Sequence, residues 1–487
     1  VNKPLRRIAI FCGLLILTLL IRDNWLQYVK ADTLASDKDN RRVLIARYST
    51  PRGNIIVDGN PVTGSVKTKN TDLKYKRTWK NGPMWAPVTG YSSQVVGASQ
   101  IENLEDGILS GNDDRLFFRR TLDMITGKPK EGGNVVTTLD AAAQKAAYDG
   151  LKNRGKGAVA AIEPSTGKIL ALASTPSYDP SSFAGNLLKD GETFSKLNKD
   201  KDKPLMNRAL RETYPPGSTF KLVTAAAALE HGLYSDADQR TKSPLPWTMP
   251  GTTTPLKNEG DLPCENATLR EALRVSCNTV FGKVGSDLGT DKMRETAEKF
   301  GFNEEQFVPV RANASNFDKE MNPSQTALSS IGQYDTAATP LQMAMVGAAI
   351  ANDGALMEPY LVDELKSPSL DTIEKHEPKE MSRPLSKENA QKLQSMMETV
   401  VSSGTGRMAQ IPGATVGGKT GTAQNGVNNE GTPYAWFVSY AKTSSGTPVA
   451  VAVVVEDSDA DRGDISGGGL AAPIAKSVME AVINGKK

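Results

Sequence analysis

The first stretch of apolar residues runs over 8–21, with Lys3, Arg6 and Arg7 before it and Arg22, Asp23, Trp25 and Tyr28 after it. The run is shorter than the about 20 residues of a typical membrane span, and it fits an export-signal core as well. Arg22 can reach toward the headgroups, and Trp25 and Tyr28 suit an interfacial belt. We therefore expect an uncleaved anchor over 8–25, a cytoplasmic tail over 1–7, and export of everything that follows.

Residues 26–140 mix short apolar runs with turns. Residues 47–59 read as a strand ended by an Asp58-Gly59 turn. No nucleophile stands beside a base here, so this part reads as a non-catalytic pedestal domain of mixed structure. Residues 135–140 form a strand-like entry, and Asp140 is a good N-cap for an alanine-rich helix over 141–151. Two apolar runs, 157–163 and 168–174, flank a Pro-Ser-Thr-Gly turn and predict a hairpin of buried strands. Residues 185–206 are polar and lysine-rich and read as a surface loop. Helical patterns cover 222–231, 267–276, 288–300 and 339–352, and another, with Ser386 as N-cap, ends near Val401. Strand patterns follow at 415–424, 435–441 and 449–455, then a helix from Pro473. Strands, a block of helices, strands and a final helix predict an α+β domain over 141–487. One antiparallel sheet would be built from two sequence-distant parts that sandwich the helical block.

The chain has 487 residues, enough for two or three domains, and its 38% hydrophobic and 23% charged content is that of a folding sequence. A net charge of +3 without a long basic run gives no sign of nucleic acid. Only two histidines occur, His231 and His376, in unrelated contexts, so a Ser-His-Asp triad or a histidine-rich zinc site is hard to build. No metal site or cofactor motif is apparent. Of the three cysteines, Cys12 lies in the anchor, while Cys264 and Cys277 lie in the exported part. Export allows a disulfide between that pair, worth roughly 3 kcal/mol in the chain-entropy model. The alternative is two buried free thiols.

Chemistry concentrates in three short motifs. Ser218-Thr219-Phe220-Lys221 follows Tyr214-Pro215-Pro216-Gly217 and runs into an alanine-rich helix. Proline and glycine break the chain there, so Ser218 sits at a helix start and Lys221 one turn later on the same face. The helix N-terminus stabilises an alkoxide or oxyanion, and a neutral lysine one turn away can accept the serine proton. Ser276-Cys277-Asn278 and Lys419-Thr420-Gly421-Thr422 follow in order. Lys419 would depress the pKa of Lys221, as would burial. Ser276 can relay the proton to a leaving amine, and Asn278 can hold Lys221 or a substrate carbonyl without adding charge. On a strand, Gly421 would leave room for a peptide along the edge, and Thr420 and Thr422 would offer hydroxyls to a substrate carboxylate. The backbone N–H groups of Ser218 and Thr422 are candidates for an oxyanion hole.

This trio is the signature of penicillin-binding proteins and class A β-lactamases. The chain resembles a class B penicillin-binding protein, a membrane-anchored monofunctional D,D-transpeptidase, and its pattern is most similar to the actinobacterial PbpA type. The resemblance extends to 138–144, 157–163, Asn207-Arg208-Ala209, Ile331-Gly332-Gln333, 339–344, Gly404-Thr405-Gly406 and Ala435-Trp436-Phe437. About 110 residues between anchor and catalytic part leave no room for a class A glycosyltransferase domain. The resemblance implies stem peptides ending in D-Ala-D-Ala as substrate, covalent inhibition by β-lactams, and a SEDS-family glycosyltransferase as membrane partner. The rivals are a D,D-carboxypeptidase or β-lactamase of the same fold, or a catalytically idle divisome scaffold. The Glu-x-x-Leu-Asn stretch of a class A β-lactamase is missing after Ser276-Cys277-Asn278.

Overall fold

The computed structural model describes residues 3–35, 40–69, 72–117, 121, 124–128, 130–425, 430–456, 460 and 465–485. Val1 and Asn2 of the expected tail lie outside the described residues.

Helix α1, Lys3–Tyr28, carries the apolar run and extends it at both ends. At 26 residues, with mean hydropathy 2.0 over an 18-residue stretch, it is the one helix among the described residues long and apolar enough to cross a membrane. A short helix α2, Arg41–Tyr48, then leads to the pedestal, and Tyr48 buries its ring there, its hydroxyl donating to Ser93 O at 2.9 Å. The strand expected from residue 47 is confined to β1, Ile55–Val57, because α2 occupies the preceding residues. Asp58 and Gly59, both at positive φ, turn β1 into β2, Asn60–Pro61.

After helix α3, Gly82–Thr89, the pedestal sheet continues with β3, Asn134–Thr137, parallel to β1. Asp140 then caps α4, Ala141–Lys152, accepting from Ala143 N at 2.8 Å. The expected hairpin is β4, Lys156–Ile162, and β5, Ile169–Thr175. The polar stretch expected as a loop contains α5, Leu188–Lys199. Its Phe194 and Leu197 pack on a small aromatic cluster around Tyr178 and Phe183, which is enough to hold an otherwise solvated helix.

The helical block comprises α6, Lys221–Glu230; α7, Leu269–Val275; α8, Asn278–Leu288; α9, Thr290–Lys299; and α10, Pro340–Ala351. Sequence reading missed α8, whose Gly282 and Gly285 lower helix propensity. Both glycines serve packing: a Cβ on Gly285 would lie 1.8 Å from Ser330 Oγ, and one on Gly282 would lie 2.6 Å from Leu256. Strands β6, Val362–Lys366, and β7, Thr372–Lys375, were also unforeseen. They return to the pedestal, where β6 pairs with β3, giving the sheet order β7-β6-β3-β1-β2.

After α11, Lys387–Ser403, come β8, Thr415–Asn425; β9, Gly431–Thr443; β10, Gly446–Glu456; and α12, Ala472–Gly485. The two distant strand sets join edge to edge, β10 against β4, in one antiparallel sheet ordered β8-β9-β10-β4-β5. Alternation splits its apolar residues between two faces. Ala158, Ala160, Ala450 and Ala452 face the core of the wholly buried α10, while Val159, Ala161, Val451 and Val453 face α4 and α12. Strand β8 is the edge, and the three motifs meet beside it.

Candidate active site

Gly217–Phe220 forms a tight 3₁₀ turn that runs directly into α6, so Ser218 lies in the first turn and Lys221 heads the α-helical part. Gly217 adopts φ 52°, and its N–H donates to Gly332 O at 3.0 Å. A Cβ on Gly332 would lie 2.1 Å from Gly217 O, so the two backbones touch only because Gly332 lacks a side chain. A Cβ on Gly421 would lie 3.0 Å from Pro216 O and from Thr219 Cγ2. Gly421 therefore clears room for the nucleophile turn rather than for a peptide at the edge. Lys419 and Gly421 share the strand face turned toward the helical block.

Both lysines are fully buried. Lys221 Nζ donates to Asn278 Oδ1 at 2.7 Å, Ser276 O at 2.8 Å and Ser276 Oγ at 3.1 Å. Lys419 Nζ donates to Thr420 O at 2.7 Å and reaches the same Ser276 Oγ at 3.0 Å. The Ser276 hydroxyl thus bridges the two amines. Ser276 can stand there because it caps α7 in the left-handed region, at φ 65°, where the chain turns sharply into α8. A non-glycine residue in that conformation is a recurrent mark of functional sites. Ser218 Oγ, nearly buried, makes no hydrogen bond among the described residues.

Burial, together with the charge of Lys419, pushes Lys221 well below the usual lysine range, with Glu259 opposing that shift. Burial lowers Lys419 to about 7, again against Glu259. Every hydrogen-bond acceptor of the two amines is uncharged, so nothing in contact offsets the cost of holding a buried cation.

A cleft of about 460 Å³ opens over this cluster. Ser218, Asn278, Thr422 and Gln424 line it, with Gln333 from the Ile331-Gly332-Gln333 stretch and with Asn258 and Glu259 from a segment that sequence reading did not single out. Thr420 is not part of this lining. The 404–406 loop lies against β8 there, and Thr420 shares a hydrogen bond with the Thr405 hydroxyl at 2.6 Å. Cys264 and Cys277 form a disulfide, with Cα atoms 5.7 Å apart, tying the segment after Glu259 to the Ser276-Cys277-Asn278 turn.

Residues 157–480 match the family model of the penicillin-binding protein transpeptidase domain, and residues 52–135 that of the penicillin-binding protein A dimerisation domain. The chain belongs to the penicillin-binding protein transpeptidase family. This penicillin-binding protein is 41% identical to the peptidoglycan D,D-transpeptidase PbpA of Mycolicibacterium smegmatis, over 99% of each chain. It is also 41% identical to PbpA of Mycobacterium tuberculosis, over the whole of both. Among solved structures, the ceftriaxone acyl-enzyme complex of M. tuberculosis penicillin-binding protein A matches with TM-score 0.85 and 40% identity, over 90% of this chain and all of that one. The imipenem acyl-enzyme complex of the same protein matches with TM-score 0.83 at 40% identity, over 90% of this chain and all of that one.

Proposed function

We propose that this chain is a serine D,D-transpeptidase that cross-links peptidoglycan stem peptides and is trapped as an acyl-enzyme by β-lactams. One observation carries the mechanism: two buried amines, Lys221 and Lys419, share the Ser276 hydroxyl behind the cleft that Ser218 lines. The named relatives and the acyl-enzyme complexes of the solved neighbours support the activity.

In this reading neutral Lys221 takes the Ser218 proton as Oγ attacks the carbonyl between the two D-alanines. The backbone N–H groups of Ser218 and Thr422 stabilise the oxyanion. The Thr422 hydroxyl meets the terminal carboxylate, and buried Lys419 supplies electrostatic field from behind the cleft. The C–N bond breaks, and the leaving D-alanine amine gains its proton from Lys221 by way of Ser276 Oγ. An incoming amine then attacks the ester and loses a proton to Lys221; the ester C–O bond breaks, and Lys221 returns that proton to Ser218 Oγ. Asn278 holds Lys221 throughout.

In the same reading residues 1–7 stay in the cytoplasm, 8–25 anchor the chain, 26–140 form the pedestal, to whose sheet residues 362–375 contribute two strands, and the rest of 141–487 forms the extracytoplasmic catalytic domain. The anchor and pedestal then serve a SEDS-family glycosyltransferase. Intact-mass measurement after incubation with penicillin G tests the activity. One adduct is expected on the wild-type chain and none on Ser218→Ala. An adduct on the variant at the wild-type rate would end the reading.

A further inference from the structure

Helix α8 starts at Asn278, yet its N-cap, Cys277, has no side-chain oxygen to cap with, and its sulfur is bonded to Cys264. The first N–H groups of a helix need partners from outside it. Here Asn258, on a separate segment, supplies them: its Oδ1 accepts from Asn278 N at 2.8 Å and Thr279 N at 3.0 Å. Its Nδ2 donates to Thr279 Oγ1 at 3.2 Å. The neighbouring residue completes the hold, since Lys257 O accepts from Asn278 Nδ2 at 2.9 Å.

That last bond decides which way the Asn278 amide faces. With Nδ2 on a carbonyl, Oδ1 is left for Lys221 Nζ at 2.7 Å. Turned over, the amide would set a donor against the amine. We propose that Asn258 is a positioning residue for acyl transfer, acting through Asn278 on Lys221. It fixes the start of α8 and the Lys257 carbonyl together, and the Cys264–Cys277 bridge ties down the far end of the same loop. An ordinary cap would contribute only stability. This one also sets the position of the group that holds the base. The inference rests on Lys221 being that base.

The test is a double-mutant cycle of Asn258→Leu and Asn278→Ala in the full chain, following acylation by saturating penicillin G. Alone, Asn258→Leu should slow the acylation rate constant by about 10–100-fold, as expected for a misplaced catalytic group. Labelling should still reach one adduct per chain. In the Asn278→Ala background the same change should add little, because its route to Lys221 is already cut. If Asn258→Leu lowers the melting temperature and leaves the rate constant unchanged, Asn258 is a structural cap and the inference fails. Additive effects on the rate would overturn it equally. Should the leucine variant not fold, the cycle run with Asn258→Ala decides between the same outcomes. A wild-type chain that takes no adduct would instead refute the proposed function, so the two failures are distinguishable.

Discussion

Two clusters of buried cations lie in this molecule, and they are treated in opposite ways. In the pedestal, Arg52 and Arg77 converge on the fully buried Glu102, at 2.7 and 2.6 Å, and Arg52 also reaches Asp106 at 2.5 Å. Burial opposes both charges: at Arg52 Glu102 and Asp106 together outweigh it and hold the guanidinium above its usual range, while at Arg77, which meets Glu102 alone, burial prevails and lowers it. Beside the cleft, Lys221 and Lys419 are buried as deeply with only hydroxyl, amide and carbonyl oxygens in contact. A buried cation with a carboxylate keeps its charge and braces the fold; one without must shed it and becomes a base. The contrast between ion pair and bare amine separates scaffold from chemistry within one chain.

The sharpest way to break this contrast is Lys221→Met. Acylation by penicillin should fall by about 10²–10⁴-fold, the range for loss of a general base. The melting temperature should hold or rise, because an unpaired buried amine gives way to an apolar chain of similar length. A large loss of stability would mean that Lys221 is a structural cation after all. Glu102→Gln is the mirror experiment. It strands the buried Arg77 guanidinium, leaves Arg52 with Asp106 alone, and should cost about 3–5 kcal/mol in denaturant unfolding. Penicillin acylation by the folded fraction should stay at the wild-type rate; a fall would couple the pedestal network to the site. A smaller effect is expected for Glu259→Gln. Glu259 raises both lysines, so its removal should lower both pKa values. Neutral amine then appears at lower pH, and the acidic limb of the acylation profile should move down. A shift upward would contradict the electrostatics.

What was legible in the sequence follows the same division. Ser218, Lys221, Ser276, Asn278 and Lys419 stand out because the proposed serine acyl transfer calls for those side-chain types within short motifs. Asp140, Ser386 and the strands around β9 and β10 stand out because capping and alternation are local. The rest depends on contacts between distant segments. Helix α8 breaks the propensity rule at Gly282 and Gly285 because Ser330 and Leu256 press on it. Strands β6 and β7 find their partner only through β3, far back in the chain. Asn258 and Glu259 belong to the cleft through a loop that no motif marks, and Thr420 faces Thr405 because a neighbouring loop closes over it. Glycine misleads in the same way: Gly421 sits in a recognisable motif, but its partner, the Ser218 turn, appears only in three dimensions.

Stability carries the same signature. Unfolded lysines titrate near about 10.4. Lys419 titrates at about 7 in the folded chain, so between these values the unfolded state binds the extra proton and stability rises with pH. Lys221, also depressed, adds to that slope.

The pH dependence of penicillin acylation tests the central claim most directly. If Lys221 is neutral in the folded enzyme, the rate constant should climb along its acidic limb through a midpoint well below that of a free lysine and be flat by mildly alkaline pH. A rate still rising through about 10.4, the value of an unperturbed lysine, would show the amine charged in its pocket and contradict the account.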